Sequence, residues 1–111
     1  MSSIPPSILS AARDEALAHA RDDYVGLWVI IKVLQEEYGV TGDALREHTL
    51  DVVRELLARG LLAGDPPYSA TGYRPWQDQL PDAVIDRIRA EWIALGRTPN
   101  IPDIVWFSTP D

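Results

Sequence analysis

Apolar residues recur at helical spacing near the start of the chain. In residues 7–21, Ile8, Ala12, Ala16 and Ala20 lie four positions apart, and alanine is the best helix former, so a helix is predicted here. Two prolines precede this segment and disfavour an earlier helix start. Residues 1–6 are therefore predicted to be a flexible N-terminus, and residues 7–111 a single folded domain.

The second apolar segment is also predicted to be a helix. Asp22 or Asp23 can cap it, and Gly39 stops it after Tyr38. A run of three β-branched residues at positions 29–31 would suit a strand equally well, but the length between cap and stop favours a helix. The segment is apolar nearly all round, which is typical of a central helix. Its predicted core face is Tyr24, Leu27, Trp28, Ile31, Leu34 and Tyr38.

A third segment, residues 41–60, repeats its apolar positions with the period of a helix. Thr41 is a candidate N-cap, Gly60 a stop signal, and Arg59 a cation suited to the last turn. The pattern fits one helix, or two short helices broken near His48 and Thr49.

After residue 60 the pattern changes to short strands and turns. Residues 61–63 are a candidate strand, and residues 73–76 would return as a second strand, at an edge because Pro75 lacks an N–H donor. Pro81 opens a further helix that stops at Gly96, and residues 104–107 are the clearest strand. Helices packed on a small antiparallel sheet define an α+β domain.

Residues 50–62, in which a helix ends at Arg59 and Gly60 before two leucines, resemble part of a winged helix-turn-helix domain. In that family the recognition helix leads into a β-hairpin wing, and residues 72–76 would be the returning wing strand. The resemblance covers residues 24–76. It implies a winged-helix-like helical core with a small antiparallel sheet and extra terminal helices, and DNA-binding transcription regulation as one function.

Charge argues against nucleic acid as the ligand. The net charge is −7 and the pI about 4.6, whereas nucleic-acid affinity depends on Lys and Arg that neutralise phosphates. Residues 41–60 carry three arginines against four carboxylates, and the wing offers only Arg74. No turn signal precedes the candidate recognition helix. We therefore expect no nucleic-acid binding, and the DNA-binding regulator is the alternative.

The C-terminal third, with residues 72–76, Glu91-Trp92 and residues 104–107, is similar to a group of small bacterial proteins of unassigned role. Small acidic chains of this kind also resemble immunity proteins of bacterial toxin systems. That resemblance implies a protein-binding module, an immunity- or antitoxin-type inhibitor of a basic partner. Residues 1–10 lack a secretory signal, and no apolar run is long enough for a bilayer, so a cytoplasmic protein without membrane contact is expected.

No residue set predicts catalysis. The chain has two histidines, His19 and His48, and no cysteine, and neither histidine lies in a metal-binding spacing. A nucleophile elbow and a glycine-rich phosphate loop are both lacking in the sequence. We expect no enzymatic activity, no cofactor and no metal.

The candidate partner-binding site is an acidic stripe in residues 41–60. Its carboxylates recur every four residues, which places them along one side of a continuous helix: Asp43, Glu47, Asp51 and Glu55. Nearby arginines could pair with them, so a solvated face is the alternative interpretation. Of the tryptophans, Trp28 and Trp92 are expected in the core, and either Trp76 or Trp106 partly exposed. Trp76 is added to the predicted site because aromatic residues are enriched at binding hot spots.

Overall fold

The structure, a computed structural model, describes residues 4–22, 24–67, 72–100 and 103–109. In chain order the elements are α1 (Pro6–Asp22), β1 (Val25–Gly26), α2 (Leu27–Lys32), a π-helical segment (Val33–Glu37), α3 (Gly42–Ala58), β2 (Leu62–Gly64), α4 (Pro81–Leu95) and β3 (Trp106–Ser108). The strands form one antiparallel sheet in the order β1-β3-β2. The predicted α+β class is confirmed.

The first helix begins at Pro6, one residue before the predicted start. Proline is well accommodated at the first helical position, where its missing N–H would have no partner. Ala12, Ala16 and Ala20 form the buried face of α1, and these small side chains let it pack closely against α2 and α3. Ile4, within the predicted flexible N-terminus, is buried in the same core.

The second predicted helix differs from the structure at its start. Val25 and Gly26 pair with β3, so the helix begins at Leu27 rather than beside residues 22–24. Tyr24 precedes this strand and is 38% exposed, not in the core as predicted. Tyr38, at the other end, is 43% exposed, so its assignment to the core was also wrong. Of the other predicted core positions, Leu27, Ile31 and Leu34 are buried, as expected of a central helix, whereas Trp28 is only half-buried.

The third segment, left open as one helix or two, is a single continuous helix. Thr49, at the suggested break, is fully buried. Its hydroxyl donates to the backbone carbonyl of Leu45 at 2.6 Å, which satisfies the polar group without interrupting the helix. Thr41 occupies the N-cap position, but its side chain makes no capping hydrogen bond.

The C-terminal strand is the centre of the sheet. Phe107 pairs with Val25 on one side and Ala63 on the other, and all three are at most 1% exposed. This row faces the helices. The strand begins at Trp106, two residues later than predicted, because Ile104 has a left-handed backbone with φ of 61°.

The other face of the sheet is covered by aromatic rings. Trp106 pairs with Gly26 and Gly64, one on each neighbouring strand. Tyr73 lies over Gly64, where an added Cβ would come within 2.7 Å of its ring. Tyr24 stacks on Tyr73 with ring centroids 4.5 Å apart. This stacking explains why Tyr24 lies outside the helical core.

The outer edge of β2 is closed by a short backbone bridge together with a side chain. The segment predicted as a returning strand makes one bridge, between Pro75 and Gly64, instead of a strand. Gln79 completes the edge: its Oε1 accepts from the N–H of Ala63 at 2.9 Å, and its Nε2 donates to the carbonyls of Ala63 and Trp76 at 2.8 and 2.7 Å. The bridged segment makes two backbone hydrogen bonds to this edge, from the N–H of Asp65 to the carbonyl of Arg74 at 2.9 Å and from the N–H of Trp76 to the carbonyl of Ala63 at 2.8 Å. The amide satisfies the N–H of Ala63, which these two bonds leave unpaired.

Candidate functional site

The predicted acidic stripe winds around α3 instead of following one straight line. Each step of four residues turns about 40° past a full revolution, so three steps drift by roughly 120°. Glu47 therefore reaches α4, where Arg89 Nη2 lies 2.9 Å from its Oε1. Glu55 faces α1 instead, and its Oε1 lies 3.5 Å from Arg13 Nη1. The stripe joins α3 to both neighbouring helices.

Most of the charge on the stripe is neutralised within the chain. Glu47 accepts hydrogen bonds from Arg89 and from Arg46, the latter at 2.8 Å, and these bonds lower the pKa of Glu47 to about 2. Arg46 also lies 3.3 Å from Asp43, and Glu55 has an arginine one turn further along at 3.4 Å. A partner would have to compete with these arginines.

Asp51 differs from the rest of the stripe. Within the described part of the chain, its ion-pair contact is with His48, whose Nδ1 lies 3.9 Å from the Asp51 carboxylate. That distance is too long for a hydrogen bond, and the buried Nδ1 has no other hydrogen-bond partner. Burial raises the pKa of Asp51, and His48 partly opposes this.

Trp76, also predicted to bind a partner, is only 7% exposed. Its Nε1 donates to Asp65 at 3.0 Å, and the guanidinium of Arg87 lies 3.6 Å from its ring centroid. The Arg87 side chain in turn donates to Glu91 at 2.7 Å. We call these four residues the Trp76 cage. The contacts place Trp76 against α4 and do not join it to the acidic stripe.

The arginines of α3 do not form a free basic surface. Arg54 lies 2.9 Å from Asp82 of α4, and Arg46 and Arg59 are paired with carboxylates on α3 itself. Arg74, in the segment that resembles a wing, is exposed and has no ion pair among the described residues. A single unpaired arginine is a weak basis for contact with a phosphate backbone.

A groove of different character lies where α1, α2 and the π-helical segment meet, with a volume of about 330 Å³. Its floor is apolar and is formed by Trp28, Val29 and Val33. Around it lie three carboxylates and two basic side chains: Glu15, Glu36, Glu37, Lys32 and His19. We call this the carboxylate groove. Trp28 is half-buried here, although the sequence placed it in the core.

The π-helical segment supplies two of the three carboxylates. In this conformation the helix is locally wider, and such segments are rare and often occur at functional sites. Among the described residues, no cation pairs with Glu36 or Glu37, and Lys32 likewise has no ion pair. Glu15 contacts His19, whose Nε2 lies 3.3 Å from its carboxylate. The groove thus carries negative charge that the chain does not itself neutralise.

The carboxylate groove continues along the surface. A neighbouring concavity shares Trp28, Lys32 and Glu36 with it and extends to residues 98–100 in the connector after α4. The continuous surface suits an extended segment better than a small compact ligand. Sequence reasoning did not identify this site, although Trp28, Lys32 and Glu36 recur at steps of four, the spacing of one helical face.

Comparison of the chain with protein-family models, with curated proteins and with solved structures finds no match in any of the three. Within the described ranges, no three His, Asp or Glu side chains cluster in a way that could hold a metal ion. No helix among these residues is both long and apolar enough to cross a membrane.

Proposed function

We propose that this protein is a protein-binding module that takes a basic segment of its partner in the carboxylate groove. The observation that carries the proposal is the pair Glu36 and Glu37, which have no cationic partner among the described residues and border an apolar floor. Carboxylates form strong charge-assisted hydrogen bonds with basic side chains. The floor can take the aliphatic stem of such a side chain while its charged head meets the carboxylates.

The groove is better suited to this role than the acidic stripe. Glu47 and Glu55 already bind arginines, so a partner would exchange one ion pair for another with little net gain. Glu36 and Glu37 would gain a new pair. The net charge of −7 would in addition speed the approach of a basic partner.

An immunity- or antitoxin-type inhibitor is the form of module that we favour, because the small acidic chain resembles such proteins. An inhibitor of this type covers a basic surface of its target. The DNA-binding alternative has less support, because the arginines of α3 are paired with carboxylates.

The proposal is tested by calorimetric titration with an acetylated, amidated heptapeptide in which three lysines alternate with glycine. The Glu36→Gln/Glu37→Gln variant removes two charges from the groove, and Asp43→Asn/Asp51→Asn removes two from the stripe. Exposed ion pairs contribute about 0.2–1 kcal/mol each, so loss of two pairs should make the groove variant bind roughly two- to thirtyfold more weakly. The stripe variant should lose less than about twofold, because screening weakens distant charges.

Two results would contradict the proposal. Equal losses in both variants would mean that the peptide senses only the overall field, and a larger loss in the stripe variant would place the site on α3. A separate titration with a mixed-sequence DNA duplex at physiological salt tests the alternative function. Submicromolar DNA binding would favour that alternative.

A further inference from the structure

We infer that the carboxylate groove selects arginine over lysine, through the indole of Trp28. The inference rests on the proposed function and specifies which basic residue the partner inserts. Trp28 forms part of the floor, and Glu36 and Glu37 lie beside it. An indole next to unpaired carboxylates matches the two properties of a guanidinium, a flat cationic surface and several N–H donors.

The chain already contains one arrangement of this kind. In the Trp76 cage, Arg87 lies over the indole at 3.6 Å, its Nε donates to Glu91 at 2.7 Å, and its Nη2 lies 4.0 Å from Asp65. The groove has the same components, an indole and flanking carboxylates. Among the described residues that line the groove there is no arginine, and the basic ones are Lys32 and His19. A partner's arginine would supply the missing guanidinium, which would lie on the Trp28 indole and bind the flanking carboxylates as Arg87 does in the Trp76 cage.

The Trp28 indole is held in place from behind. A Cβ on Gly26 would lie 2.5 Å from Cδ1 and 2.8 Å from Nε1 of Trp28, so the pyrrole edge rests directly on that glycine. The Nε1 atom is buried there and has no hydrogen-bond partner in the part of the chain that the structure describes. The ring is thus fixed against the sheet before any partner arrives, and little ordering is required on binding.

Lysine fits the same groove less well. Its ammonium group is compact and strongly hydrated, and it has no flat face to lie on an indole while its N–H groups point to carboxylates. A guanidinium is planar, less strongly hydrated, and presents donors in its plane while its face lies on the ring. Selectivity therefore depends on Trp28, whereas overall attraction depends on Glu36 and Glu37.

The test compares two heptapeptides, acetylated and amidated, in which either three arginines or three lysines alternate with glycine. Binding to the wild-type protein is measured by calorimetry and by the indole N–H resonance of Trp28, identified as the signal lost in Trp28→Phe. We expect the arginine peptide to bind about two- to fivefold more tightly, the range that cation–π contacts at exposed sites give. Only the arginine peptide should shift the Trp28 resonance strongly.

The variants separate selectivity from attraction. Trp28→Leu should bring the arginine peptide to the affinity of the lysine peptide, and Trp28→Phe should retain part of the preference. The preference in the wild-type protein is measured without any variant, so a poorly folded variant does not remove the test. Equal wild-type affinities that both fall in Glu36→Gln/Glu37→Gln would overturn arginine selection but leave the proposed function standing. A preference that persists in folded Trp28→Leu would overturn the role of Trp28, and absence of binding by either peptide would overturn the proposed function itself.

Discussion

Removal of the Gln79 side chain should destabilise the fold strongly. Its amide makes three hydrogen bonds of 2.7–2.9 Å, two with Ala63 and one with the carbonyl of Trp76. Ala63 is fully buried, so in Gln79→Ala its N–H loses this partner and water cannot readily replace it. The carbonyl of Ala63 keeps the hydrogen bond from the N–H of Trp76 at 2.8 Å. The variant therefore leaves the buried N–H of Ala63 unsatisfied, and the carbonyls of Ala63 and Trp76 each lose one hydrogen bond.

The magnitude follows from these bonds. A typical hydrogen bond contributes about 0.5–1.5 kcal/mol net, and an unsatisfied buried group costs about 1–3 kcal/mol. Gln79→Ala should therefore lower the free energy of unfolding by about 2–6 kcal/mol. For a chain of this size each kcal/mol corresponds to about 4 °C, so Tm should fall by roughly 8–24 °C.

The assay is urea unfolding followed by circular dichroism, with thermal unfolding alongside. Gln77→Ala is the matched control, because Gln77 is exposed and its side chain makes no hydrogen bond with another described residue, and it should change stability by less than about 0.5 kcal/mol. Gln79→Glu keeps an acceptor for Ala63 N–H but sets a carboxylate against two carbonyls, so at neutral pH it should destabilise at least as much as alanine. If Gln79→Ala behaves like Gln77→Ala, the amide does not secure the sheet edge.

Three further predictions can be checked by the same unfolding assays. Gly26→Ala should lower stability by about 1–3 kcal/mol, because the new methyl overlaps Trp28 and Trp106; stability equal to wild type would show that these rings shift freely. Glu47→Gln should cost about 0.5–1 kcal/mol at pH 7, discounted for partial exposure, since the folded pKa of Glu47 is lowered from 4.5 to about 2. The contribution of Glu47 is present above pH 4.5 and is lost as pH falls through 2, so the difference should vanish in strong acid; a constant difference would refute the ion-pair explanation. A chain ending at residue 102 should fail to unfold cooperatively, because β3 pairs with both other strands, and an unchanged Tm would contradict this.

Sequence patterns predicted those elements whose signals are local. The fourth helix begins at Pro81 and ends at Gly96, which has φ of 72°, and both residues are strong local signals. The third helix ends before Gly60 for the same reason. Propensity and capping depend on neighbouring residues, so a single sequence is sufficient to place them.

The strands depended on partners far along the chain. Val25 and Gly26 lie at the start of an apolar segment with good helical spacing, and they form a strand because β3, some eighty residues later, pairs with them. The sequence pattern also did not predict where β3 starts, because Ile104 adopts a left-handed backbone that β-branched residues rarely take. Local propensity contains no information on either event.

The same distinction decides which acidic residues are available to a partner. The sequence shows a regular stripe on α3, yet Arg13 of α1 and Arg89 of α4 reach its carboxylates only once the helices pack. Glu36 and Glu37 are adjacent and are not part of a regular spacing of carboxylates. Packing brings Glu15 to the same groove, and no arginine is among the described residues that line it. Folding thus neutralises most of the regularly spaced carboxylates of α3. It leaves Glu36 and Glu37, which belong to no repeat of acidic residues, without an ion pair among the described residues. The carboxylates that remain unpaired beside an apolar floor are those that gain most from a cationic partner, and this is why the proposed site is the groove and not the stripe.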